Sequence, residues 1–122
     1  MNSQIKQQWA TALRSGKYTQ DTGSLQTEKG FCCLGVLCDL YSKETGIEWE
    51  VSYTIDQETC HLPRYSFNTE TAFLPVEVKE WAGLESRSPI VKSPEDELKE
   101  LAILNDNGST FEEIAQLIEG GF

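Results

Sequence analysis

Histidine is nearly missing from this chain, and so are cations. The 122 residues include one His and one Met, with ten Lys plus Arg against twenty Asp plus Glu, a formal charge of −10. With His61 as the only imidazole, a cluster of histidines for general acid-base or metal-dependent chemistry is not available. The shortage of cations disfavours DNA or RNA duplexes and anionic membrane surfaces as partners, because both require phosphate neutralisation. No apolar run approaches the ~18 residues that would span a bilayer. The polar start MNSQIKQQ carries no hydrophobic signal core. These absences lead to the expectation of a cytoplasmic protein without a membrane segment.

No C-x-x-C pair is present either. Cys32, Cys33, Cys38 and Cys60 are concentrated in and near one apolar segment, which fits reduced, buried thiols better than a secreted disulfide framework. A zinc site using these cysteines with His61 has suitable ligand types but unsuitable spacing, since adjacent cysteines at a helix start point apart. A Cys32–His61 nucleophile pair would need a thiolate-favouring setting that an apolar helix does not offer. No metal, no cofactor and no catalytic residues are expected.

The length fits one domain, residues 1–122, able to bury roughly two thirds of the surface of its unfolded chain. Ile5, Trp9, Ala12 and Leu13 recur with helical spacing, so residues 3–15 are expected to form an amphipathic helix, with Ser3 as N-cap and Gly16 as its stop. Tyr18–Gln20 and Ser24–Thr27, separated by Asp21-Thr22-Gly23, are candidate strands of a short hairpin. Gly30 precedes FCCLGVLCDLY, a second helix with Leu34, Leu37, Cys38 and Tyr41 inward that ends near Gly46. Gly35 inside it implies a closely packed neighbour. Ile47, Trp49, Val51, Tyr53 and Ile55 alternate with polar residues, the period of a half-buried strand. Residues 56–73 are compatible with an extended loop or with a second strand near Cys60–Leu62.

Pro75 suits the first turn of a short helix with Val78, Trp81 and Ala82 inward and Gly83 closing it. Ser86–Ser93 is expected to be a turn-rich connector. Pro94 is expected to open an acidic helix with Leu98, Leu101, Ala102 and Leu104 inward, ending at Asn105–Gly108. Ser109 or Thr110, with Glu112 or Glu113, marks the capping box of a last helix whose stripe is Phe111, Ile114, Ala115 and Ile118. The expected architecture is α+β, helices packed on a small antiparallel sheet.

Charge is unevenly placed. Residues 1–30 hold Lys6, Arg14, Lys17 and Lys29 against Asp21 and Glu28, whereas residues 94–122 hold Lys99 against eight carboxylates. An anion site is therefore expected near the N-terminal part. Arg14 offers a planar fork for phosphate, Lys17 a mobile charge, Tyr18 a stacking face and Gln20 an amide for a base edge, with Ser15 between them. Trp9, Trp49 and Trp81 are further candidate walls for a nucleobase, although the places of Trp9 and Trp81 in helical stripes make core packing their default. The plainer reading of Arg14–Gln20 is a helix end whose cations complement the helix dipole. In the C-terminal segment, NDNGSTFEEIAQLIEGGF has the look of the first helix of a helix-turn-helix unit. No basic recognition helix follows it.

Four blocks carry a resemblance. They are Trp9-x-x-Ala12-Leu13-Arg14-Ser15-Gly16-x-Tyr18-x-Gln20; Gly30-x-Cys32-Cys33-Leu34-Gly35-Val36-Leu37; Leu74-Pro75-x-x-Val78-x-x-Trp81-Ala82-Gly83-Leu84; and Leu104-Asn105-Asp106-x-Gly108-x-x-Phe111-x-x-Ile114-Ala115. Together they resemble a widespread set of small phage and prophage proteins, associated with viral immune-evasion proteins that sequester nucleotide signals of bacterial defence. Such signals include the cyclic oligonucleotides of CBASS and the ADP-ribose derivatives of Thoeris. Against shorter members, residues 50–72 look like an insertion. The resemblance implies a non-enzymatic nucleotide sponge in the host cytoplasm, often a homo-oligomer that repeats its site. The alternative from another class is an acidic module that docks on a host protein.

Overall fold

Trp9 is the largest fully buried side chain, and the first helix is arranged to bury it. In this computed structural model, which describes residues 1–56 and 60–122 and the side chains outside 53–62, α1 spans Ser3–Arg14. Its cap is Asn2 rather than the expected Ser3: the Asn2 side-chain oxygen accepts from the Ile5 amide at 3.0 Å. Ile5, Trp9, Ala10 and Leu13 form the buried stripe, and α1 packs chiefly on the last helix, α5 (Phe111–Gly121). The Trp9 indole donates to the Cys33 carbonyl at 2.9 Å, so its polar edge is satisfied inside the core.

Gly16, at φ +75°, turns the chain where a side chain would be strained. The segment that follows is not the expected hairpin. Tyr18–Gln20 and Ser24–Thr27 do not pair with each other; Gln20 and Gln26 each form an isolated bridge to Phe31. Phe31 is thus the common partner, which local alternation could not reveal. The second helix, α2 (Cys33–Thr45), ends at Gly46 as expected. Gly35 has the close neighbour that its presence implied: a β-carbon there would lie 1.7 Å from the Leu25 carbonyl oxygen.

The alternating stretch forms β1 (Glu50–Asp56), and the segment left open after it forms β2 (Cys60–Ser66), an antiparallel pair with Val51 opposite Tyr65. The half-buried face expected for β1 is only partly found. Ile47 and Val51 are about half exposed, at 49% and 47%, while Trp49 turns inward. Tyr53 and Ile55 lie outside the described side chains. Short α3 (Val76–Ala82) buries Val78 and Ala82 and stops at Gly83, with Trp81 packed edge-to-face on Tyr41.

The acidic helix expected from Pro94 is a correction. Ile90–Lys92 forms β3, inside the segment expected to be a connector, and pairs antiparallel with β4 (Leu98–Glu100). Helix α4 starts only at Leu101 and ends at Asp106. Leu98 is 74% exposed, so it is not a core position; its spacing to Leu101 imitated a helical stripe across a strand-to-helix junction. In α5 the capping box forms as expected, with Thr110 and Glu113 bonded reciprocally at 3.1 Å. The whole is α+β, with two small two-stranded antiparallel sheets among the described residues instead of a single sheet.

Aromatic rings link these elements. Edge-to-face contacts run from Tyr18 to Phe31, Trp49, Phe67, Tyr41 and Trp81, with centroids 5.1 to 5.9 Å apart. Tyr18 is thereby tied to the body of the protein from behind.

Candidate functional site

An open groove of about 650 Å³ runs between the exposed face of α1 and the end of α2. Gln4, Gln7, Gln8 and Thr11 recur one helical turn apart along its α1 wall. Ala12 and Leu40 give it an apolar floor, and Ser15, Lys17, Tyr18 and Lys43 close the far end. Among the described residues no carboxylate lines it. In a chain of net charge −10, this groove presents two ammonium groups, a phenol and a row of neutral amides.

Three of the six residues expected from sequence meet here. Ser15 donates to the Ala12 carbonyl at 2.7 Å and accepts from the Lys17 amide at 3.1 Å, which fixes the turn that delivers Lys17. Lys17 is exposed and forms no ion pair among the described residues. Tyr18 is half-buried, and its hydroxyl donates to Asp39 Oδ2 at 2.5 Å. Lys43 Nζ donates to the same phenolic oxygen at 3.1 Å and lies 5.3 Å from the ring centre. These distances put the ammonium beyond the oxygen, not above the ring, so the lysine does not cover the aromatic face.

The other three are elsewhere. Arg14 faces α5, where its Nε bonds Glu112 at 3.0 Å and its guanidinium pairs with Glu119. The bond to Glu119, and then that to Glu112, raises its pKa. Two carboxylates hold its Nε and Nη1, and Arg14 is not among the residues that line the groove, so the structure does not bring it to the anion site expected from sequence. Gln20 donates to Asn105 Oδ1 at 2.9 Å and to the Ser109 carbonyl at 2.7 Å, holding loop to helix instead of facing a ligand. Trp9 is fully buried and does not reach the groove.

Asp39 organises the far end. Its side chain is 16% exposed, and it accepts from the Trp49 indole at 3.1 Å, from Tyr18 and from Lys43, whose Nζ lies 3.2 Å from Oδ2. Burial first, and the bond to Asp39 second, raises the Tyr18 pKa; bonds to Tyr18 and then Asp39 raise that of Lys43. Lys43 therefore stays an ammonium and Tyr18 a neutral phenol at physiological pH. The four-residue spacing of Asp39 and Lys43 on a helix was the available sequence signal for this pair. The glutamine wall carried none, since exposed amides read as a solvated face.

The three described cysteines are poor nucleophiles. Cys32, Cys33 and Cys38 are free and buried, and burial raises all three thiol pKa values, those of Cys33 and Cys38 strongly. Cys60 and His61, needed for the zinc and Cys–His readings, lie outside the described side chains. Among the described residues no group of three or more His, Cys, Asp or Glu is gathered as a metal-ligand set. No helix among them is long and apolar enough to cross a membrane.

A family model described as a domain of unknown function, DUF8296, matches residues 1–122. The chain belongs to the DUF8296 family. No curated protein and no solved structure matches the chain significantly. Within this DUF8296 domain, the groove between α1 and α2 brings two cations, an aromatic ring and three glutamine amides together.

Proposed function

We propose that this protein is a non-enzymatic binder that sequesters a small nucleotide signal in the groove between α1 and α2. The observation that supports it is the composition of that groove: Lys17 and Lys43 beside Tyr18, a wall of Gln4, Gln7 and Gln8, and no lining carboxylate among the described residues. Ammonium groups suit a phosphate, amides suit base edges, and Tyr18 suits a base or ribose face. Binding without chemistry also fits thiols held neutral by burial, since a buried neutral thiol is a poor nucleophile.

The resemblance to phage and prophage proteins gives this binder its setting: the cytoplasm of an infected bacterium, where capture of a cyclic oligonucleotide or cyclic ADP-ribose signal blocks anti-phage defence. A homo-oligomer would repeat the groove and could close its open side. The test is a panel of cyclic dinucleotides and cyclic ADP-ribose isomers, each mixed with protein, assayed for melting temperature and then released by heating. A sponge raises the melting temperature with one member and returns it intact. An altered product means an enzyme, and no shift with any member removes the reading.

One observation favours a protein-docking alternative. Ile90 and Leu98 lie on the outer face of the β3–β4 hairpin, 50% and 74% exposed, next to the acidic residues Glu97 and Glu100. The C-terminal carboxylates are less suited to docking, because Glu112 and Glu119 hold Arg14 and Glu113 caps α5. Capture of one host protein by the native chain, lost with the I90S/L98S double substitution, would support docking over sequestration.

A further inference from the structure

Asp39 does not line the groove, yet it determines how much charge the groove offers. Two cations reach the groove, Lys17 and Lys43. Lys43 is paired to Asp39 at 3.2 Å, whereas Lys17 has no ion-pair partner among the described residues. Counting Asp39 with the two lysines leaves one uncompensated positive charge. The carboxylate is held in place by the Trp49 indole and the Tyr18 hydroxyl, so an arriving anion cannot simply displace it.

We propose that Asp39 sets the charge preference of this groove, making it a site for a phosphate group that carries one charge, as each phosphodiester of a cyclic oligonucleotide does, rather than for a doubly charged terminal phosphate or a diphosphate. Of the two signal classes above, it favours the cyclic oligonucleotide. The inference rests on the groove being the nucleotide site. A phosphodiester matches the single free charge of Lys17. The second charge of a terminal phosphate would face Asp39, only one ammonium away, and gain little from Lys43. Asp39 is a positioning residue: it acts through Lys43 and Tyr18 and does not touch the ligand itself.

The experiment uses a charge series on one nucleoside at pH 8, where a terminal phosphate carries nearly two charges. Adenosine, adenosine 5′-monophosphate and its methyl ester are titrated calorimetrically into the full chain, with dimethyl phosphate as a diester lacking a base. The wild-type protein should bind the methyl ester at least as tightly as the monophosphate and both far better than dimethyl phosphate. Asp39→Asn keeps an acceptor for Trp49 and a polar contact for Tyr18 but releases Lys43. It should improve the monophosphate about tenfold relative to the ester. Lys43 is exposed, so Lys43→Gln gives a folded control. It should weaken both charged ligands, and the D39N/K43Q double variant should return the ratio to the wild-type value.

A wild-type preference of tenfold or more for the monophosphate overturns the proposal, as does a ratio that D39N leaves unchanged. Dimethyl phosphate binding as well as the methyl ester overturns the choice of a nucleotide over another diester, such as a lipid headgroup. If none of the adenosine compounds binds, the nucleotide reading of the groove falls and the charge preference falls with it.

Discussion

Gln20 donates to Asn105 Oδ1 across 2.9 Å, although 85 residues separate the two in the chain. Asn105 is 1% exposed and is the hub of a buried polar junction. Its Oδ1 also accepts from the Cys33 amide at 3.2 Å, and its Nδ2 donates to the Asp21 carbonyl at 2.8 Å. Cys32, the N-cap of α2, makes no side-chain capping bond, so Asn105 caps α2 from another helix. Asn105→Leu would leave two donors and a carbonyl short of a partner and should cost about 3 kcal/mol in urea unfolding. Gln20→Ala should cost about 1–2 kcal/mol and leave groove binding within about twofold. Lost binding at unchanged stability would return Gln20 to the ligand site.

Arg14 gives the clearest separation between the groove and its supports. Because its guanidinium is bound to Glu112 and Glu119, Arg14→Ala should loosen the α1–α5 contact and lower the melting temperature. Nucleotide affinity should stay within about twofold, whereas Lys43→Ala should weaken it about tenfold. Calorimetric titration of both variants checks this. A large affinity loss in the Arg14 variant alone would mean that its fork leaves the carboxylates to meet a phosphate.

Gly35→Ala should be among the most damaging single-methyl additions in the chain. The added carbon would meet the Leu25 carbonyl at 1.7 Å, and backbone there cannot rotate away. The expected loss exceeds about 4 kcal/mol, read as a protein that unfolds at low urea or is recovered only as aggregate. A near-native denaturation midpoint would show that the segment around Leu25 shifts freely.

Alkaline pH should act through Tyr18 and Lys43. Their pKa values are raised above the ordinary 10.0 and 10.5, so the folded state holds both protons more tightly than the unfolded state. The stability this supplies is complete below the unfolded values and is lost as pH rises through the folded ones. Urea midpoints should therefore decline above about pH 10. Tyr18→Phe should make that decline shallower, and an identical decline would show that the Tyr18–Asp39 bond does not influence folding.

The helices at Ser3–Arg14, Cys33–Thr45, Val76–Ala82 and Phe111–Gly121 were legible because each has an apolar stripe and a local stop or cap. Ile90–Lys92 and Leu98–Glu100 were not. Three-residue strands carry too few alternations to register, and only their pairing with each other stabilises them. The same limit applied to the site. Ser15, Lys17 and Tyr18 lie together at the groove because one turn fixes them, whereas Arg14 and Gln20 turn to partners 98 and 85 residues away, which local sequence does not reveal. Lys43, Gln4, Gln7 and Gln8 look like solvated helix positions until tertiary packing sets α1 beside α2.

The central claim is that a nucleotide occupies the groove between α1 and α2. It is tested most directly by titrating isotopically labelled protein with the methyl ester of adenosine 5′-monophosphate and following side-chain and backbone chemical shifts. Progressive, saturable shifts are expected in the side-chain amides of Gln4, Gln7 and Gln8 and in Lys17, Tyr18 and Lys43, with Arg14 and Gln20 little changed. Shifts centred on Arg14, Glu112 and Glu119, or no saturable shift at all, would contradict it.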